Sequence, residues 1–183
     1  HFQPDRPIRG GIPVVFPQFG SGGPLPQHGF ARISEWSLIA TGLGDDGSVS
    51  ATLELTETPE TLAAWPHRFY LSLEVFLEES SLTVAMSVQN TGEQPFPFKQ
   101  ALHTYFRVAD IHRTAVLGLD GVTFIDSLRG NAREVETRPE IRFDQETAAL
   151  LMSRASLRAL LRTSHGPSVT ALAPAARGAV TLV

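Results

Sequence analysis

From residue 35 to residue 128 the chain repeatedly alternates apolar and polar residues in short segments, most of them bounded by Gly, Pro, Asn or Asp. A period of two sends successive side chains to opposite faces of an extended backbone, so this region predicts half-buried strands. "EWSLIATG" (35–42) and "SVSATLELT" (48–56) flank the turn "GLGDDG", a strand–turn–strand signal. "RFYLSLEVFLE" (68–78) places Phe69, Leu71, Leu73 and Val75 on one face, and "SLTVAMSVQN" (81–90) alternates again. "FPFKQALHTYFRV" (96–108) predicts a further strand, with Pro95 and Pro97 marking an edge or bulge at its start. "TAVLGL" (114–119) and "VTFIDSL" (122–128) predict another pair. One interruption, "TPETLAAW" (58–65), predicts a short helix with Thr58 as N-cap and Pro59 at its first position. The resulting fold class is all-β, a large antiparallel sandwich, with residues 1–34 irregular apart from short extended pieces at 12–16 and 29–33.

Bulk properties narrow the function. A length of 183 residues suits one domain with a real core, and 42% apolar residues is an ordinary globular value. With a net charge of −4 there is no broad basic field to hold nucleic acid or an anionic membrane. The basic residues are fourteen Arg and one Lys, and Arg is the better bidentate ligand for phosphate. There is no cysteine, which excludes disulfides, thiol catalysis and zinc–thiolate sites and fits a reducing cytoplasm. No run of about 18 apolar residues predicts a membrane-spanning helix. The chain begins at His1 rather than Met, as part of a longer product would.

The stretch "IRGGIPVVFPQFGSGGPLPQHGFAR" (8–32) holds six glycines and four prolines, too many for a regular helix or ordinary strand. Gly10, Gly11, Gly20, Gly22 and Gly23 permit tight turns, and the prolines stiffen the path. Its polar side chains read in two ways. In one they are solvated groups on a rigid loop. In the other, Arg9 and Arg32 with Gln18 and Gln27 clamp an anionic, hydroxylated ligand. A guanidinium gives two parallel hydrogen bonds to a phosphate, and an amide both donates to and accepts from a sugar hydroxyl. The stretch is neither an RGG repeat nor a phosphate-binding P-loop.

In "QALHTYF" (100–106) the alternation puts Ala101, His103 and Tyr105 on one face. A lone strand histidine is commonly a hydrogen-bonded structural residue, but an imidazole also suits proton transfer near neutrality. The histidines at 1, 28, 67, 103, 112 and 165 show no metal-binding spacing, so no metal is expected. Glu78-Glu79 reads as a solvated turn, "WPHRF" (65–69) as a packed corner with Trp65 buried, and Ser164-His165 has no nucleophile-elbow context.

Taken together, "IRGGIPVVFPQFG", "QHGFAR", "PETLAAWPHRFYLSLEV" and "ALHTYF" resemble the glucose-6-phosphate 1-epimerases (hexose-6-phosphate mutarotases), in the plant apospory-associated protein C type of the aldose-1-epimerase-like group. The likeness runs from about residue 7 to about residue 147. It implies an antiparallel β-supersandwich of the galactose mutarotase kind and a cofactor-free isomerase that interconverts the α and β anomers of hexose 6-phosphates. The expected partner is a small-molecule hexose 6-phosphate, with no nucleic acid and no membrane, and the chain is expected to be a cytoplasmic monomer. By the same resemblance Arg9, Arg32 and Gln27 bind the sugar phosphate, His103 is the general acid, and Gln18 and His28 border the pocket.

Two departures stand out. Ala148 occupies the place where the resemblance leads one to expect a sugar-binding aspartate, and the family's C-terminal glutamate base, after a WNP-type motif, has no counterpart. Glu146 is the last acidic residue; residues 148–183 hold nine Ala, seven Leu and four Arg, with no Asp or Glu. "AALLMSRASLRALLRTS" has helical spacing, with Leu150, Leu157, Leu160 and Leu161 set against Arg154, Arg158 and Arg162. The sequence thus predicts a partial mutarotase-like domain over 1–147 and a divergent tail, helical by spacing, over 148–183. A frameshift or gene-model error, a natural truncation, or recruitment of an earlier carboxylate such as Asp126, Glu134 or Glu136 each accounts for the missing base. The outcome expected is a weakened or inactive isomerase; a non-catalytic sugar-phosphate-binding domain and a non-functional product are the alternatives.

Overall fold

The computed structural model describes residues 8, 10–126, 128–130 and 132–143, and the backbone course of 149–152, 157–163, 169–173 and 179–182. In chain order these form β1 (Val14–Val15), β2 (Ser37–Leu43), β3 (Val49–Thr56), α1 (Pro59–Ala64), β4 (Phe69–Leu77), β5 (Leu82–Asn90), β6 (Ala101–Leu102), β7 (Thr114–Leu117), β8 (Thr123–Asp126), β9 (Ala132–Val135), β10 (Glu140–Arg142), β11 (Ala149–Met152), β12 (Leu157–Thr163), β13 (Val169–Ala173) and β14 (Ala179–Leu182). Short 3-10 turns lie at Ala31–Ile33 and Ile111–Arg113. β1 and β6 form a two-stranded ladder. The chain divides into two compact units: Val15–Lys99, and His1–Val14 with Gln100–Val183.

The unit of residues 15–99 is built on the antiparallel meander β2-β3-β4-β5. Its register aligns the apolar positions across strands: Leu55, Leu71 and Val88 lie in one row, Leu53, Leu73 and Met86 in the next, then Ala51, Val75 and Val84. That row-by-row match is what the period of two in each segment encodes, since a slip by one residue would send every apolar side chain to the polar face. A bulge between Leu38 and Ala40 adjusts β2 to β3. The helix α1 starts where expected: Thr58 Oγ1 accepts from Thr61 N at 3.2 Å and Thr61 Oγ1 accepts from Thr58 N at 2.8 Å, a reciprocal cap. Phe16 and Phe69 are fully buried. Around Phe16 lie Phe30, Trp65, Phe69 and Phe98, with ring centroids 6.1, 5.5, 5.4 and 5.5 Å away, inside the range where edge and tilted aromatic contacts are favourable. Trp65, expected buried, is only partly so, but it takes part in this cluster.

The other unit carries two antiparallel sheets, of order β10-β7-β12-β13 and β14-β11-β8-β9. Thr114, Ala115 and Val116 of β7 and Ile141 of β10 are buried, and Val116 stands opposite Ile141 in the ladder.

Four further local expectations differ from what is observed. The described residues of the tail are strands rather than helix: β11 pairs with β8 and with β14, and β12 pairs with β7 and with β13. In "LRALLRT" the residues Leu157, Ala159 and Leu161 alternate with Arg158, Leu160 and Arg162, so the segment fits a period of two as well as 3.6. Pairing decides between them, because the ladder gives the outer backbone groups of β7 and β8 hydrogen-bond partners. The strand expected over 96–108 shrinks to Ala101–Leu102, since Pro95 and Pro97 cannot donate to a ladder. The stretch 29–33 ends in a 3-10 turn rather than an extended piece. Finally, β7 and β8 do not pair with each other but lie in different sheets. Gly118 and Gly121, with φ of 86° and 78°, turn the connection between them.

Candidate functional site

Residues 17–32 form a loop nailed down at both ends by the aromatic core, through Phe16 and Phe30. Phe16 O accepts hydrogen bonds from Phe30 N (3.1 Å) and Ala31 N (3.3 Å), so the chain closes back on its own start. Gly29 bridges to Phe16 at φ 72°, and a Cβ placed there would lie 2.1 Å from Phe16 O. Only glycine meets both conditions.

Inside the loop Gln18 is buried and acts on the loop's own backbone. Its Oε1 accepts from Leu25 N (3.1 Å), and its Nε2 donates to Leu25 O (3.0 Å) and Gly20 O (3.1 Å). His28 takes the left-handed φ of 68°. Its backbone N donates to Gly20 O at 3.0 Å while its Nδ1 accepts from Gly20 N at 3.3 Å. That acceptance requires the neutral imidazole with its hydrogen on Nε2. The ring meets Phe19 edge-on, with centroids 5.1 Å apart at 77°. Gln27 is exposed at the rim, and its carbonyl oxygen accepts a hydrogen bond from Arg32 Nη2. One rigid loop therefore carries Gln18, Gln27, His28 and Arg32, with Gln18 as its internal brace.

His103 belongs to the other unit. The backbone around it is fixed to the segment before β1: His103 N donates to Pro13 O at 3.0 Å and Tyr105 N to Gly11 O at 2.9 Å. Gly10 and Gly11 take φ of 147° and 70° there. The imidazole of His103 stacks on the phenol ring of Tyr105, with centroids 5.1 Å apart and planes 26° from parallel. Arg9 lies outside the described residues. Tyr105 was not among the residues the sequence singled out for chemistry; its signal was the i, i+2 relation to His103 within "HTY".

The three carboxylates considered as replacement bases are committed to different degrees. Glu136 is buried; its Oε1 accepts from Arg138 Nε (2.8 Å) and from the backbone N of Thr137 and Arg138, and its Oε2 from Arg138 Nη2 (2.8 Å). The hydrogen-bonded guanidinium holds its carboxyl below the usual carboxylate range, against the burial that raises it. Asp126 caps the turn that follows it, accepting from Leu128 N and Arg129 N. Glu134 is exposed and only 3.9 Å from Arg129 Nη1 at closest. Among the described residues no group of three or more acidic or histidine side chains is arranged to hold a metal, and no helix is long and apolar enough to cross a membrane.

Comparison with known proteins gives a consistent result. Residues 2–173 match the family model described as aldose 1-epimerase. A protein of Cenchrus ciliaris named "Putative glucose-6-phosphate 1-epimerase" is 38% identical over 167 residues, covering 87% of this chain and 51% of its own length. A protein of the same name from Escherichia coli K12 is 41% identical over 132 residues, 71% of this chain and 42% of its own length. Among solved structures, a "putative mutarotase" of Salmonella typhimurium superposes with a TM-score of 0.76 at 29% identity, covering 90% of this chain and 54% of that one. The Slr1438 protein of Synechocystis superposes with a TM-score of 0.72 over 92% of this chain and 68% of that one; at 20% identity this likeness concerns the fold alone. The chain spans about half the length of the curated relatives it matches. The expected all-β, mutarotase-like fold is the one found.

Proposed function

The chain belongs to the aldose 1-epimerase family, and on that premise we propose that it acts on the anomeric carbon of hexose 6-phosphates. The observation that carries this reading is the family match over residues 2–173 together with relatives at 38% and 41% identity that share one name.

In this proposal Arg9 and Arg32 grip the 6-phosphate, Gln27 bonds a sugar hydroxyl, and His28 borders the sugar. Gln18 serves by holding the loop in shape. A phosphate remote from C1 fixes the sugar without touching the reacting bond, so its binding energy goes into positioning. His103, as imidazolium, donates its proton to the ring oxygen O5 while a base removes the proton of the anomeric hydroxyl. The C1–O5 bond breaks, the C1 oxygen becomes a carbonyl, and the open-chain aldehyde forms. Rotation about C1–C2 followed by the reverse transfers gives the other anomer. Each positioned proton transfer contributes roughly 10²–10⁴ in rate. No redox or group transfer occurs, so no cofactor is called for.

The base is the weak point. Of the carboxylates considered, Glu136 and Asp126 are engaged in holding their own surroundings. Their commitment favours a second reading, a domain that binds the sugar phosphate but opens the ring slowly. We propose accordingly that this chain binds hexose 6-phosphates and accelerates anomer exchange only weakly.

Magnetisation-exchange NMR on glucose 6-phosphate tests the proposal. Exchange faster than in buffer and abolished by His103→Ala supports the isomerase. Phosphate-dependent binding without faster exchange supports the binding domain. Absence of both removes the proposal.

A further inference from the structure

We propose that Tyr105 is a positioning residue for His103, holding the imidazole in one orientation by stacking on it. The inference rests on the acid role given to His103 above and adds a second side chain to that site.

The geometry is specific. Residues two apart on an extended chain emerge on one side of it, and both backbones are tied to the segment before β1, at Pro13 and Gly11. Thr104 N donates to Leu102 O at 3.1 Å, a tight turn centred on His103 itself. The rings then lie 5.1 Å apart and 26° from parallel, the offset-stacked arrangement that aromatic quadrupoles favour. Tyr105 is 44% exposed, while His103 is half-buried. An aromatic side chain left this open contributes little to a core, so its placement against one imidazole face is its main structural consequence. A general acid must keep its donor nitrogen aimed at the leaving oxygen, and a ring free to rotate about χ1 and χ2 spends time misaligned. The tyrosine ring removes that freedom on one side.

The stack itself, not the phenol hydroxyl, does the positioning, and this separates two variants. In the full chain, Tyr105→Phe keeps the ring and Tyr105→Leu removes it. The carbon-bound imidazole protons of His103, assigned by their loss in His103→Ala, are expected to carry an upfield ring-current shift in the native chain. Tyr105→Phe retains it and Tyr105→Leu abolishes it. In anomer exchange, Tyr105→Leu is expected to lower kcat roughly tenfold, the upper range for one aromatic pair, with KM unchanged and with Tyr105→Phe near native. An unshifted His103 in the native chain, an equal loss in the phenylalanine and leucine variants, or a rise in KM alone overturns the proposal. If the native chain gives no exchange, the isomerase reading fails, and the ring-current comparison alone decides whether Tyr105 orients His103.

Discussion

Gln18 holds Leu25 by both of that residue's peptide groups, accepting from its N–H at 3.1 Å and donating to its C=O at 3.0 Å. A side-chain amide used this way mimics a strand partner inside a loop that has no ladder of its own. Because the bracket is buried, water cannot replace it cheaply. Gln18→Ala is expected to leave two buried backbone groups without partners, at a cost of about 1–3 kcal/mol. Gln18→Glu should cost more, since an ionised carboxylate keeps the acceptor but sets negative oxygens against the carbonyls of Gly20 and Leu25. Denaturant midpoints and amide exchange at Leu25 check this; a native-like Gln18→Glu would contradict it.

Two loop glycines separate conformational from steric need. Gly20 and Gly29 have nearly the same φ, 67° and 72°, but a Cβ at Gly20 meets nothing within 4 Å while one at Gly29 meets Phe16 O at 2.1 Å. Gly20→Ala is therefore expected to cost about 1–2 kcal/mol, the price of the left-handed region alone. Gly29→Ala must also displace the backbone that closes the loop, and a loss above about 4 kcal/mol or failure to fold is expected. Thermal unfolding of the two variants side by side measures the difference.

The elements legible in the sequence are those whose information is local. β2 to β5 and α1 follow from alternation and from the Thr58–Thr61 cap, and the register follows from keeping Leu53, Leu73 and Met86 on one face. The fate of Leu157–Thr163 was not local. Its spacing suits a helix or a strand, and pairing with β7 settles it. The same holds for β7 and β8, adjacent in sequence yet in different sheets. At the candidate site, residue types pointed to Gln18, Gln27, His28 and Arg32, but nothing in a glutamine's letter says whether its amide faces a ligand or its own loop. The burial of Gln18 and its three backbone bonds say so.

Arg32 links the loop to the proposed ligand chemistry. A guanidinium offers a planar fork, a lysine only a point charge, so Arg32→Lys keeps the charge and loses bidentate geometry. With charge-assisted bonds worth about 1.5–3 kcal/mol, glucose 6-phosphate should bind roughly ten- to a hundredfold more weakly. Unphosphorylated glucose should be unaffected. Titration calorimetry with both sugars distinguishes the cases, and equal weakening of the two would take Arg32 off the phosphate.

Glu136 gives the chain a defined acid sensitivity. Its carboxyl is held below the unfolded value of 4.5, first by the hydrogen bond from Arg138, so the folded state binds its proton less tightly than the unfolded one. The stability this contributes is fully present above pH 4.5 and is lost as pH falls from there through the lower folded value. Glu136→Gln should lower stability at neutral pH and flatten the acid limb, because a neutral amide has no proton to gain. Arg138→Ala should also destabilise at neutral pH, by about 1–3 kcal/mol, since a buried carboxylate loses its charged partner. Denaturation midpoints followed from neutrality down to about pH 3 test both. An acid limb equally steep in Glu136→Gln and in the native chain would place the sensitivity on other carboxylates.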